Sequence, residues 1–108
     1  MRLQLPKAIE IYLAAENSDD ADALAGCFAP DATVTDERQT IKGLDAIKAW
    51  KIETKRKYQH SIEPLAVVEH GGKTVVTVKL TGSFPGSPIK VGFSFQLEDG
   101  KIAALEIR

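Results

Sequence analysis

The chain contains little cysteine or histidine, and its net charge is close to zero. Its 108 residues include one cysteine, Cys27, and two histidines, and 14 basic side chains nearly balance 15 acidic ones, for a formal net charge of −1. A single cysteine forms no intramolecular disulfide, which permits a reducing compartment. We expect Cys27 to be a small buried apolar residue rather than a nucleophile. The balanced charge favours neither nucleic acid nor an anionic membrane as a partner.

Long apolar runs are also missing. No stretch approaches the ~20 apolar residues that a transmembrane helix needs, and residues 1–7 lead into no apolar segment of the signal-peptide type. We therefore expect a cytoplasmic protein of one domain, residues 1–108. The sequence has no phosphate-cradling glycine loop, no nucleophile elbow and no recognisable metal-ligand spacing. We expect no cofactor and no metal.

What the chain does have is helical periodicity in its first half. Apolar residues at steps of three or four predict a first helix that begins near Pro6, a shorter second helix that ends before Pro30, and a third helix at about 44–59. A short strand, 32–35, precedes a polar connection at 36–39. The third helix has a basic face, which is either a solvated surface or a site for an anion or a partner. The lysines and arginine of this face are Lys48, Lys51, Lys55, Arg56 and Lys57.

From Ser61 onwards the apolar period changes to two. This alternation predicts a meander of four antiparallel strands at 62–68, 74–84, 89–97 and 102–107, joined by glycine-containing turns. Pro64 predicts an edge position or a bulge in the first of them. Helices followed by strands indicate an α+β domain, in which a curved antiparallel sheet wraps around three N-terminal helices and encloses a pocket.

The sequence as a whole resembles a known family. The pattern Tyr12…Phe28-Ala29-Pro30-Asp31-Ala32-Thr33-Val34…Asp36…Gly43-Leu44-Asp45-Ala46-Ile47…Trp50 is similar to the nuclear transport factor 2-like superfamily, in particular to its SnoaL-like polyketide cyclases and ketosteroid isomerases. The resemblance covers essentially the whole chain. It implies a cone-shaped, cystatin-like α+β barrel with an internal ligand pocket, often dimeric through the outer face of the sheet. A small apolar organic ligand and a homodimer are the partners it implies.

The resemblance also implies roles for single residues. Asp36 matches the general base of the isomerases, and Tyr12 matches the tyrosine that donates to the developing oxyanion. Val91 stands where the isomerases carry a second, protonated acid, and this departure weakens the case for ketosteroid isomerisation. We expect the substrate to contact six side chains: Phe28, Trp50, Tyr58, Val91, Phe93 and Phe95.

Ordinary structural roles remain open for the same residues. Asp36 could form a turn or a cap, and Tyr12 could be a core residue. We expect His60 at the surface or at a helix end, with a second proton carrier in the pocket as the alternative, and His70 exposed in a turn. Two functions follow: a small isomerase or cyclase that uses Asp36 as base on a carbonyl-type substrate, or a non-catalytic ligand-binding or dimerisation module.

Overall fold

A computed structural model of the chain describes residues 5–18, 21–36 and 39–107, without the side chains of residues 21 and 58. In these ranges the chain forms two α-helices, one 3₁₀ helix and six strands. The helices are α1 (Lys7–Glu16), the 3₁₀ helix (Ala21–Gly26) and α2 (Leu44–Tyr58). The strands are β1 (Phe28–Asp36), β2 (Gln39–Lys42), β3 (Ser61–His70), β4 (Lys73–Thr81), β5 (Ile89–Glu98) and β6 (Lys101–Ile107).

All six strands form one sheet in the order β2-β1-β6-β5-β4-β3. Every neighbouring pair is antiparallel except β1 and β6, which run parallel. Register shifts interrupt β1–β6, β3–β4 and β5–β6, and such bulges bend a sheet. The helices cover one face of this sheet, so the α+β prediction is confirmed.

The prediction of three N-terminal helices is wrong in one part. The segment at Ala21–Gly26 is a 3₁₀ helix rather than an α-helix, since it is short and ends in glycine, and 3₁₀ geometry is typical of such short pieces. β1 begins at Phe28 and passes through Pro30. Its register against β6 shifts between Phe28 and Thr33, so the missing N–H of Pro30 falls in an irregular part of the ladder.

Three further elements, β2, α2 and β3, also bear on the sequence-based predictions. Residues 40–42, for which the sequence predicts no strand, belong to β2, which pairs with β1. The third predicted helix is confirmed as α2, and Gln59 ends it in a left-handed conformation with φ of 49°. The prediction for Pro64 is confirmed, because β3 is an edge strand and its register shifts between Pro64 and Ala66.

The core is centred on the ring of Tyr12, which is 0% exposed. Three phenylalanine rings surround it, with centroid distances of 5.6 Å to Phe28, 6.0 Å to Phe93 and 5.5 Å to Phe95. Tilted and edge-to-face contacts at such distances are favourable aromatic geometries. Within the described part of the chain, neither α-helix has the length and apolar character to cross a membrane.

Candidate functional site

A partly open cavity of about 210 Å³ lies between α2, the end of α1 and the inner face of the sheet. Its walls combine a few ionisable or hydrogen-bonding side chains with a larger apolar surface. The polar members are Glu16, Asp36, Thr54 and His60, and the others are Trp50, Leu80, Phe84, Ile89, Phe93 and Ile107. A largely apolar cavity with a few polar groups is the usual form of a small-molecule site.

Glu16 and His60 form a buried pair at the cavity wall. Nε2 of His60 lies 2.6 Å from Oε2 of Glu16, and the two residues are 7% and 3% exposed. The other carboxylate oxygen, Oε1, accepts a hydrogen bond from the hydroxyl of Tyr12 at 3.1 Å. Both oxygens of Glu16 are therefore occupied, one by an imidazole and one by a phenol.

Tyr12 is held as a hydrogen-bond donor. Burial raises the pKa of its phenol well above the ordinary value, and the negative charge of Glu16 raises it further. The charge of Asp36 contributes to the same pKa shift. The hydroxyl therefore keeps its proton at neutral pH and donates a hydrogen bond to Glu16.

Glu16 and His60 are 44 residues apart in sequence. Hydrogen bonds from a side chain of α2 and from one at the end of α1 hold their two segments together. Nζ of Lys55 donates to the backbone carbonyl of Glu16 at 3.0 Å and also to the carbonyl of His60. The amide of Asn17 bonds both the carbonyl and the N–H of Ile62, at 2.9 and 2.7 Å. The end of α1 is thus fastened directly to the start of β3.

Part of the basic face of α2 therefore points inward. Lys51 is only 1% exposed, and its Nζ donates to the carbonyl of Ser18 at 3.1 Å. With Lys55, it binds the carbonyl groups at and beyond the C-terminus of α1, where a cation is favourable. The expectation of a fully solvated face is therefore wrong for Lys51 and Lys55, whereas Arg56 is exposed as expected.

Asp36 lies at the end of β1 and contributes to the cavity wall. Its Oδ2 is 3.4 Å from Nε1 of Trp50, which donates to it from α2. The indole therefore fixes one carboxylate oxygen and presents an aromatic surface to the cavity. This contact joins two residues that the sequence analysis proposed for the site.

The structure separates the predicted site residues into two groups. Asp36, Trp50 and Phe93 line the cavity. Phe28, Val91 and Phe95 are core residues, 2%, 8% and 0% exposed, and Phe28 and Phe95 pack on the ring of Tyr12. Tyr12 reaches the cavity only through Glu16, a lining residue to which its hydroxyl donates a hydrogen bond. The side chain of Tyr58 is outside the described residues.

Sequence reasoning missed Glu16 and misplaced His60. Glu16 is four residues after Tyr12, and side chains at that spacing on a helix are neighbours, so the pair could have been found. The expectation of a surface His60 is wrong, because the left-handed turn at Gln59 ends α2 and residue 60 leads inward into β3. The alternative, a position in the pocket, is the observed one. His70 is exposed as expected.

Cys27 is a core residue, as predicted. It is 0% exposed, its thiol contacts the carbonyl of Leu24 at 3.5 Å, and burial raises the pKa of the thiol to about 11. A thiol that stays protonated is a poor nucleophile. Over the ranges that the structure covers, no cluster of three or more histidine, cysteine or acidic side chains could hold a metal ion.

Comparison with known proteins identifies the family. The sequence model of the SnoaL-like domain family matches residues 9–105. A protein from Sinorhizobium meliloti, assigned provisionally as a polyketide cyclase, is 41% identical over 96% of this chain and 95% of its own, with a TM-score of 0.91. No curated protein matches the chain.

Two more distant structures share the fold. A ketosteroid isomerase-like protein from Catenulispora acidiphila, solved with trimethylamine, is 19% identical over 97% of this chain and 86% of its own, with a TM-score of 0.83. A SnoaL-like protein from Agrobacterium tumefaciens, assigned provisionally as an isomerase, is 18% identical over 93% of this chain and 92% of its own, with a TM-score of 0.77. The chain belongs to the SnoaL-like family.

Proposed function

We propose that this protein is an acid–base enzyme of the isomerase or cyclase type, acting on a small, mainly apolar carbonyl compound. One observation carries this proposal: a largely apolar cavity whose wall includes the carboxylate of Asp36, held by Trp50. In this proposal Asp36 removes a proton from the carbon next to the carbonyl group. The electron pair of the broken C–H bond moves into the enolate, whose oxygen takes the negative charge.

The cavity suits such a substrate in size and in surface. A volume of about 210 Å³ holds a compact organic molecule, and the apolar part of the wall matches an apolar substrate. A carboxylate that is poorly hydrated is a stronger base than one in water. In this proposal Tyr12 acts through Glu16 rather than on the substrate, because its hydroxyl already donates a hydrogen bond to that carboxylate. The similarity to the Sinorhizobium meliloti protein supports a cyclase.

Proton abstraction is tested by deuterium exchange. Cyclohexanone is incubated with the protein in D₂O, and loss of its α-hydrogen signals is followed by ¹H NMR. We expect exchange above the buffer rate for the wild type and a fall of about 100-fold or more in D36N, the usual contribution of a general base. The matched control is D31N, which changes an exposed aspartate of the same strand. Equal rates for D36N and the wild type would rule out Asp36 as the base.

The second candidate is a ligand-binding module without turnover. Val91 favours it, since this residue pairs with Val78 in an apolar part of the sheet, where an isomerase would need a second acid. Trp50 is the single tryptophan and lines the cavity, so its fluorescence reports binding. A fluorescence change with cyclohexanone, without any exchange of its α-hydrogens, would support the binding module over the enzyme.

A homodimer through the outer face of the sheet stays a prediction. That face includes half-buried Val75 and Thr77 and exposed Lys79 on β4. Size-exclusion chromatography with light scattering at micromolar concentration tests it, and a monomer would contradict it.

A further inference from the structure

His60 uses only one of its two ring nitrogens within the protein. Nε2 is bound to Glu16 at 2.6 Å, and none of the residues that the structure covers forms a hydrogen bond with Nδ1. No buried side-chain nitrogen or oxygen in those ranges lacks a partner, so Nδ1 lies at an accessible surface. The surface that His60 lines is the cavity.

The partners of Glu16 fix which nitrogen carries the proton in the neutral ring. Oε1 of Glu16 already accepts a hydrogen bond from Tyr12, and a phenol whose pKa is raised remains the donor. A carboxylate with both oxygens accepting hydrogen bonds requires an N–H on Nε2. With Glu16 ionised, the neutral imidazole in this geometry is the Nε2–H tautomer, which leaves the lone pair on Nδ1.

We propose that Nδ1 of His60 exchanges a proton with the molecule bound in the cavity, and that Glu16 and Tyr12 are positioning residues for it. This role rests on the function proposed above and adds a second catalytic group to Asp36. While Asp36 takes the proton of the carbon, the imidazolium gives its Nδ1 proton to the oxygen of the forming enol and keeps its Nε2–H on Glu16. In the reverse step Asp36 returns a proton to carbon, Nδ1 accepts the proton of the enol hydroxyl, and the O–H electron pair re-forms the carbonyl group, so no further reactant is consumed.

The arrangement has the three parts of an oriented base. A proton-accepting nitrogen faces the cavity, a carboxylate binds the opposite nitrogen, and a third group holds that carboxylate. The carboxylate fixes the tautomer and stabilises the imidazolium that forms. Lys55 adds rigidity at the backbone, since its ammonium binds the carbonyl groups of both Glu16 and His60.

The tautomer is the first test, and it does not depend on turnover. Two-dimensional ¹H–¹⁵N NMR of ¹⁵N-labelled protein, recorded as a pH series, distinguishes Nε2–H from Nδ1–H in each neutral ring. The chain has two histidines, and H70Q assigns the spectrum by removing the exposed one. We expect His60 to be the Nε2–H tautomer in the wild type and in H70Q, and to lose this preference in E16Q but not in E10Q. The Nδ1–H tautomer in the wild type would overturn the inference and leave the role of Asp36 untouched.

The second test separates Nδ1 from the rest of the ring. In H60Q the amide group replaces the ring near Nε2 and can still donate to Glu16, but nothing replaces Nδ1. We expect H60Q to fold with the wild-type circular dichroism spectrum and to lose about 100-fold or more of the cyclohexanone exchange rate, while H70Q keeps that rate. H60Q at the wild-type rate with D36N inactive would overturn the inference alone. A wild type that binds cyclohexanone without exchanging its hydrogens would overturn the proposed function and the inference together.

Discussion

Replacing Tyr12 by phenylalanine removes one oxygen atom from the most buried part of the molecule. The ring of Tyr12 is 0% exposed and is packed by three phenylalanine rings, so Y12F keeps the apolar contacts. What it loses is the hydrogen bond to Oε1 of Glu16 at 3.1 Å. Glu16 is 3% exposed, so water has little access to the oxygen that is left without a donor.

The expected loss follows from the charge of the acceptor. A hydrogen bond to a charged group contributes about 1.5–3 kcal/mol, because a buried acceptor without its donor keeps the cost of desolvation. We therefore expect the free energy of unfolding of Y12F to fall by about 1.5–3 kcal/mol. At about 4 °C per kcal/mol for a domain of this length, the melting temperature would fall by roughly 6–12 °C.

Urea denaturation followed by circular dichroism measures this loss. We expect the midpoint to move while the slope stays constant, since the fold and its buried area are unchanged. The matched control is E10Q, an exposed substitution on the same helix, which should stay within about 0.5 kcal/mol of the wild type. In a double-mutant cycle, Y12F should cost less in the E16Q background. A Y12F variant as stable as the wild type, or an equal cost in both backgrounds, would refute the proposed hydrogen bond.

Three other substitutions test separate features. Cys27 has a folded-state pKa of about 11 against an ordinary 9.0, so the unfolded chain loses its proton first and stability falls as pH rises from 9 to 11. C27A should remove about 2–3 kcal/mol of this decline, measured by urea denaturation at each pH. Q59G should raise the free energy of unfolding by about 0.5–1 kcal/mol, because glycine adopts the φ of 49° without strain. K55M should lower it by about 1–3 kcal/mol through the lost bonds to the carbonyls of Glu16 and His60, and thermal unfolding measures both changes.

The regular parts of the fold could be predicted because local patterns determine them. The alternation from Ile89 to Leu97 gives β5 its buried residues Val91, Phe93 and Phe95, and the helical spacing around Trp50 gives α2. The segment before Phe28 was harder, since a run that short has similar preference for a turn, a 3₁₀ helix and an α-helix. β2 was missed because its pairing depends on β1, a contact that no local pattern contains.

The site was only partly predictable, for a related reason. Asp36 and Trp50 face the cavity as expected, but their hydrogen bond joins a strand to a helix. Phe93 and Phe95 share one face of β5, and only the position of α1 decides which of them meets Tyr12 most closely and which also reaches the cavity. Alternation assigns a residue to a face of the sheet, whereas the boundary between core and cavity depends on the tertiary packing above that face.

The position of β6 has a consequence for synthesis. This strand lies between β1 and β5, and it pairs residues as far apart in sequence as Phe28 and Ile102. Until β6 leaves the ribosome, β2 and β1 have no hydrogen-bonded connection to β5, β4 and β3. Two additional strand edges, those of β1 and β5, are then exposed in the nascent chain, and such edges favour aggregation. A chaperone that binds the nascent chain would protect it at this stage, and pairing of distant segments makes the final step of folding slow.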